Sequence, residues 1–507
     1  MQSQYLLFVL LTPLVTAILM LFLWGKILIQ RLVGGIATIA YLTAAILLFL
    51  QVQTQGLVIE SAGNWPIGFG IILVADQMSA IFIVLCSLIS VAAFWYGSSF
   101  ISSKLSLSIF YPVYFFLIFG LSGAFLAGDI FNLYVWFEVM LVSSFVLFTI
   151  GANRNQLEGS LKYVTINVLS SALFLIGVGI LYGLSGTLNM ALLGKSLPEV
   201  QNQTLVTVGA IFFLVSFGIK AAIFPLFFWL PASYHTAPIG FTALVIALLT
   251  KVGIYSLTRF FTIIYPLQDT IIQPILLILA AFTMVVGVLG AAAQNDFRRI
   301  LSFHIISQIG YMLMGIALYT PIAIAGALFF VLHNVLVKTN LFFIAGAVGK
   351  HYGTYKLKEL GGVMQKLPLL AILFAISAFS LTGIPPLTGF WGKYLLAKGG
   401  FSSGNTLAIV ITAISLGVSL LTLFSMTKIW NEVFWKPFPK VNYENEPKIS
   451  FRSTLKSYPG MMISILLLTL LILSISLAPN SAIEWCLSAA DNLINRDFYI
   501  NGILKPN

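Results

Sequence analysis

Four lysines, Lys220, Lys251, Lys338 and Lys393, lie inside apolar stretches long enough to cross a bilayer, and one glutamate, Glu138, lies inside another. An ionised side chain at the centre of a spanning helix costs roughly 2.5 to 3.5 kcal/mol even on the lenient insertion scale, so such groups need partners, water or a function. The chemistry open to them is proton exchange. A carboxylate beside an ammonium favours the charged form of both, burial of either alone favours the neutral form, and separating them changes each group's hold on its proton. A static pair of Glu138 and Lys220 that fixes helix packing is the alternative, although apolar packing would serve that purpose without the desolvation cost.

The histidines extend this set. His333 precedes Lys338 by five positions, about 140° around a helix, so the two point apart, whereas Asn334 shares the face of Lys338. His304, Ser307 and Gln308 follow an i, i+3, i+4 spacing and form a polar stripe that should face the interior. A proton shuttle and a helix packed through side-chain hydrogen bonds both produce such a stripe. His235, in ASYHTAPIG, stands at a helix rim as either a proton mouth or a plain loop residue. Asp76 and Asp129 read as surface or cation-uptake groups near helix ends, and Asp296, Arg298 and Arg299 as the cap of a basic loop.

The elements that position these groups follow from composition. With 59% hydrophobic residues, 8% charged residues and a mean hydropathy of +1.02 over 507 residues, the chain is a polytopic membrane protein. Runs of about 20 apolar residues predict helices; a barrel would alternate in segments of about ten. The predicted fold is all-α with about fourteen spans: 4–24, 31–52, 71–98, 109–127, 130–150, 161–184, 205–230, 239–263, 271–293, 300–319, 322–348, 368–396, 405–430 and 459–479. The first segment has no preceding basic residue and no cleavage pattern, so it reads as a helix and not a secretory signal.

The net charge of +11 would suit nucleic acid, but the basic residues follow loop parity. With the amino terminus outside, alternate loops hold about 17 of the 26 Lys and Arg, which by the positive-inside rule places both termini outside. Cys86 and Cys486 are too few and too far apart for a metal site or a disulfide framework. Without a Gly-rich phosphate loop, an HExxH pair or a CxxCH haem attachment, the reading expects no cofactor, no metal and no redox or nucleotide-driven chemistry in this chain.

Two stretches predict interrupted helices. Pro225 follows Lys220 by five residues in KAAIFPLFFWLP, and Pro385 and Pro386 precede Lys393 in LTGIPPLTGFWGK. Proline removes a backbone donor, and such breaks survive at membrane depth only inside protein or beside a wet cavity. Matching breaks in two halves predict inverted repeats over 109–263 (helices 4–8) and 271–430 (helices 9–13). Helices 1–3 in 1–108 flank them, followed by a cytoplasmic linker over 431–458 and a last helix with an outer tail over 459–507, including an amphipathic stretch SAIEWCLSAADNLI.

The segments LAGDIFNLYVWFEVM, GIKAAIFPLFFWLPASYHTAPIGFTALVIALLTKVGIY, QNDFRRILSFHIISQIGYMLMG, HNVLVKTNLFFIAGAVG and LTGIPPLTGFWGKY occur in that order. Together they resemble the antiporter-like membrane subunits of respiratory complex I and of Mrp-type multisubunit cation/proton antiporters. GNWPIGFGIILVADQMSA and the chain length are most similar to the D-type subunits of the Mrp antiporters. The resemblance makes Glu138 the glutamate of the fifth helix, Lys220 and Lys393 the lysines of the two broken helices, and Lys251 that of the eighth. It implies that Glu138 and Lys220 interact and that protons pass along a hydrated polar line through the middle of the membrane. It also implies companions of the A, B, C, E, F and G types. His304 departs from many relatives, which carry other residues there.

The expectation is thus a proton-translocating subunit of a hetero-oligomeric antiporter in the bacterial cytoplasmic membrane, exchanging Na+ (or Li+ or K+) for H+. It is a secondary transporter subunit and not an enzyme. Its proton path would use Glu138, Lys220, Lys251, Lys393, Lys338, His333, His304 and His235. A proton-pumping membrane subunit of NADH:quinone oxidoreductase or of a membrane-bound hydrogenase, itself not redox-active, would share every motif. A stand-alone solute carrier would instead gather its polar groups at one midplane spot.

Overall fold

The computed structural model describes residues 4–68, 70–101, 103–151, 153–439 and 457–504. Without water to satisfy the backbone at membrane depth, apolar runs close their hydrogen bonds internally, and the chain folds as a bundle of helices. These are α1 (Gln4–Phe22), α2 (Ile27–Gln55), α3 (Gln77–Phe100), α4 (Lys104–Leu126), α5 (Ile130–Thr149), α6 (Arg154–Ser185), short α7 (Met190–Ser196), α8 (Gln203–Ala221), short α9 (Trp229–Ser233) and α10 (Ile239–Arg259). They continue as α11 (Ile272–Ala293), α12 (Phe297–Leu318), α13 (Pro321–Tyr352), short α14 (Val363–Lys366), α15 (Pro368–Thr382), α16 (Thr388–Phe401), α17 (Thr406–Ile429), α18 (Pro459–Leu477), α19 (Asn480–Ile494) and α20 (Arg496–Leu504). Among the described residues thirteen helices are long and apolar enough to cross a bilayer, and the broken pair α15 and α16 occupies the remaining predicted span.

Both predicted interruptions are present, and each helix ends a few residues ahead of its prolines. Helix α8 ends at Ala222, in the left-handed region with φ 61°, and α15 ends at Gly383 with φ 91°. Each left-handed residue turns its N–H back onto carbonyls of the preceding turn, the αL type of helix end, and proline follows where no donor is needed. The freed backbone finds partners: Phe224 N donates to Thr283 Oγ1 on α11 at 3.0 Å, and Trp229 Nε1 to Ile219 O at 2.9 Å.

Helix α13 is the axis of the molecule. It is buried from Ala323 to Gly349 and packs against α12, α16, α10, α15, α18 and α19. At 32 residues it is about 48 Å long, and its interior polar groups are therefore held far from either end.

Two expectations are corrected. The third span begins at Gln77 and not at 71, because Ile72–Ala75 pairs antiparallel with Val58–Ser61 as a short hairpin (β2 and β1) in an otherwise helical protein. The apolar run IILVA masks that strand, while Asp76 marks the true helix start by accepting from Ser79 N at 2.9 Å. The segment after 430 first continues α17 with a π turn, Trp430–Trp435. Residues 440–456, most of the expected linker, lie outside the described residues. The amphipathic tail forms α19 as expected, and α20 follows it unannounced.

Candidate proton-transfer site

Lys220 sits in the last turn of α8, buried, with its Nζ 5.2 Å from the centroid of the Phe137 ring on α5. Beside it a cavity of about 10 Å³, lined by Tyr163, Asn167, Leu249 and Val252 among others, approaches the size that holds one water molecule. Leu249 and Val252 flank Lys251, so this cavity leads from the first break towards α10. Gly253 permits the approach, since a methyl group there would stand 2.6 Å from Ala221 N.

Glu138 acts electrostatically on Lys220, yet the two make no contact ion pair. The glutamate is half-buried, and one carboxylate oxygen is enclosed without a hydrogen-bond partner. It lines an open groove of about 470 Å³ between α4 and α5 with Val113, Phe116, Val139, Val142, Ser143 and Val146. The interaction the resemblance implies therefore acts through space.

Lys251 on α10 and Lys338 on α13 are fully enclosed, and neither ammonium has a hydrogen-bond partner among the described residues. No carboxylate among the described residues is paired with Lys251; its charged neighbour is Lys338, which in turn feels Lys393. Asn334, one turn before Lys338, has both amide atoms buried and unpaired. Buried polar atoms left by protein in this way are ordinarily met by ordered water. Lys338 is thus interior.

At the second break Lys393 Nζ donates to Thr382 O at 2.8 Å and Leu381 O at 3.3 Å, placing its charge on the carbonyl end of α15, where the helix dipole favours a cation. His333 Nδ1 lies 2.8 Å from Thr388 Oγ1, which also contacts Ser380 Oγ at 2.8 Å, and Thr388 N donates to Ser476 Oγ on α18 at 3.0 Å. A side chain at Gly389 would collide with the Ser380 carbonyl, so only glycine lets α16 start this close to α15. His304 and His333 both lie within electrostatic range of Lys338 and Lys393.

The predicted residues thus divide. Lys251, Lys338, Lys393, His333 and His304 converge around α13, and Lys220 shares the small cavity with Leu249 and Val252, sequence neighbours of Lys251. His235 stands apart, its Nδ1 2.6 Å from Pro231 O, in an open polar cavity of about 450 Å³. Burial pushes its imidazole below the ordinary histidine value, so at neutral pH it is uncharged and Nδ1–H donates to the carbonyl. Lys162, paired with Glu158 at 2.6 Å, and Arg298 and Arg299 share that cavity. Asp296 caps α12 through Arg299 N at 3.0 Å, and the Arg298 guanidinium stacks on Tyr355, 3.8 Å from the ring centroid.

Sequence reasoning misplaced Asp76. It is no surface group but lies buried against Arg259, in the last turn of α10. They form a buried bidentate ion pair, 2.6 and 2.8 Å, with the Arg259 Nη2 also donating to Ser79 Oγ and Tyr255 Oη at 3.1 Å each. The residues lie 183 positions apart and no local spacing announces them. Thr388, Tyr311 and Ser425 were also passed over, because hydroxyls are common in spanning helices.

A bundle of membrane helices with two interrupted members and a row of buried ammonium groups between them defines an ion-translocating membrane protein. Residues 127–419 match the NADH:quinone oxidoreductase/Mrp antiporter transmembrane family, and the chain belongs to that family. It is 42% identical over 477 residues to the D subunit of the Na(+)/H(+) antiporter of Alkalihalophilus pseudofirmus, covering 94% of each chain. It is 37% identical over 507 residues to the protein of the same name from Bacillus subtilis, covering 99% of this chain and 100% of that one. Among solved structures, a chain of the Mrp complex from Dietzia sp. superposes with a TM-score of 0.89 at 29% identity over 99% of both chains.

Proposed function

We propose that this chain is the proton-translocating D-type subunit of a multisubunit antiporter that exchanges Na+, or Li+ or K+, for H+ across the bacterial cytoplasmic membrane. The observation that carries the reading is the row Lys220, Lys251, Lys338 and Lys393, buried on α8, α10, α13 and α16, the last three within electrostatic range of their neighbours. Like charges this close disfavour simultaneous protonation, so a proton gained at one member loosens the next, and their titrations are coupled. Glu138 biases Lys220 at one end of the row, and Lys393 rests on a broken helix at the other.

The α8–α9 and α15–α16 breaks, each ended by a left-handed residue, support two inverted repeats over 109–263 and 271–430. The basic face that carries Arg298, Arg299 and the His235 cavity would be cytoplasmic, with both termini outside. His235 would then sit at a proton mouth. The groove at Glu138 supports a multisubunit assembly, because a carboxylate opening onto an apolar face is costly in lipid and calls for a neighbouring helix. Companions of the A, B, C, E, F and G types fit, as the relatives are named for one subunit of a set. No catalytic role is assigned.

Cation/proton exchange in everted vesicles from an antiporter-deficient strain, with the full complex and Glu138→Ala, Lys220→Ala or Lys393→Ala, tests the proposal. Each variant should assemble and lose most exchange. Normal exchange in all three would refute the assignment, and loss confined to the Glu138 and Lys220 variants would restrict the path to the first repeat.

A further inference from the structure

The open polar cavity of about 450 Å³ at the basic end takes its walls from distant parts of the chain: Lys162 on α6, His235 and Thr236 ahead of α10, and Arg298 and Arg299 on α12. Along one wall α6 closes on the segment before α10. A methyl group at Gly159 would stand 2.7 Å from Thr236 Oγ1 and 2.9 Å from Ala232 O, so glycine brings the two together. Three cations meet one carboxylate in this lining, and that carboxylate, Glu158, already accepts from Lys162 at 2.6 Å.

The two arginines are held differently. Arg298 is fixed, with its guanidinium stacked on Tyr355 and its Nη1 donating to Ala237 O at 3.2 Å. Arg299 is exposed, and its guanidinium has no hydrogen bond or ion pair among the described residues; only its backbone N–H is engaged, by Asp296. The start of α6, at Asn153 and Asn155, adds the positive end of a 32-residue helix. Guanidinium, ammonium and helix start, with the one carboxylate already bonded, suit a phosphate.

What carries that phosphate follows from α6 beyond the cavity. Leu161, beside Lys162, is 62% exposed, and Val168, Leu169, Leu175 and Ile176 are each 40–52% exposed. Spaced from Leu161 by seven or eight residues and then by fourteen or fifteen, they continue its face of the helix. From Leu161 to Ile176 this apolar track runs about 22 Å, longer than the roughly 15 Å of hydrocarbon in one leaflet. Any spanning helix turns such a face to lipid, but this one starts at a cavity that holds an unpaired guanidinium.

We propose that the cavity binds the phosphate of an anionic phospholipid whose acyl chains lie along α6, and that the headgroup ties α6 to α12. Basic pockets between spanning helices at headgroup depth take lipids of this kind. The site needs only that the chain lies in a bilayer, and it stands whether or not the lysine row carries protons.

The test adds phosphatidylglycerol with a photoreactive acyl chain to the purified full complex in detergent and maps the labelled peptides by mass spectrometry. Label is expected within 154–185, reduced by unlabelled phosphatidylglycerol but not by the same concentration of phosphatidylcholine or of inorganic phosphate. Arg299→Gln should assemble and lower that label about fivefold, the worth of one basic residue at an anionic lipid. Should it fail to assemble, Lys162→Gln is expected to give the same loss. Competition by inorganic phosphate would make the cavity a site for the free ion, and equal competition by phosphatidylcholine would remove the recognition of charge; either result overturns the proposal. An unlabelled α6, meaning that a neighbouring protein covers this face, or a label unchanged by the substitution would overturn it as well.

Discussion

Burial divides the charged residues of this protein into two kinds. Asp76 and Arg259 are buried and bonded to each other and to Ser79 and Tyr255. Lys251 and Lys338 are buried as deeply and engaged by no hydrogen bond among the described residues. The first arrangement holds structure, and the second leaves a group free to change its proton. Removing one partner of a buried pair leaves an uncompensated charge, so Asp76→Ala should destabilise the protein by about 3–5 kcal/mol, whereas Asp76→Leu with Arg259→Met should restore most of that loss. Thermal unfolding of the detergent-solubilised complex measures both, and a double variant no better than the single one would contradict a structural pair. This distinction was only half legible in the sequence. Lysines at membrane depth stand out against apolar neighbours, but a partner 183 positions away does not, and Asp76 read as a surface group for that reason.

At the scale of elements, the two breaks were legible through their prolines, which stand three or four residues beyond the last helical residues Ala221 and Thr382. Helix α8 is ended by Ala222, a non-glycine residue at φ 61°, where an L-residue costs roughly 1–2 kcal/mol. Ala222→Gly should therefore stabilise the protein, by about 0.5–1 kcal/mol after the entropy of glycine is counted, with exchange unchanged. The opposite holds at Gly383. Its φ of 91° suits glycine, and a methyl group there would stand 2.9 Å from Lys393 Cδ, so Gly383→Ala should both destabilise and lower exchange severalfold by displacing the lysine. Equal effects of the two substitutions on exchange would contradict this. The β1–β2 hairpin escaped the sequence for another physical reason. Four apolar residues beside a spanning helix read as its continuation, and only the cap at Asp76 separates them.

Across the whole molecule, the polar centre is organised by α13, which no motif identified as the axis. Hydropathy finds spans one at a time, but which span every other one touches is a property of packing. The periphery carries the complementary message. Helices α1, α2, α5 and α6 turn large apolar side chains outward, as lipid or neighbours require, and on α5 the Glu138 groove couples such a face to a site carboxylate. If a neighbouring protein of the complex covers that groove, Val142→Lys, at a position 63% exposed in the lone chain, should abolish co-purification of the complex while the chain still inserts. Normal assembly with that lysine would place the groove in lipid. The central claim, that protons pass through the row of buried ammonium groups, is tested most directly by cutting the row at its middle with Lys338→Met. The expected result is a complex that assembles, is at least as heat-stable as the parent, and exchanges cations for protons at least tenfold more slowly; undiminished exchange by that assembled variant would contradict the account.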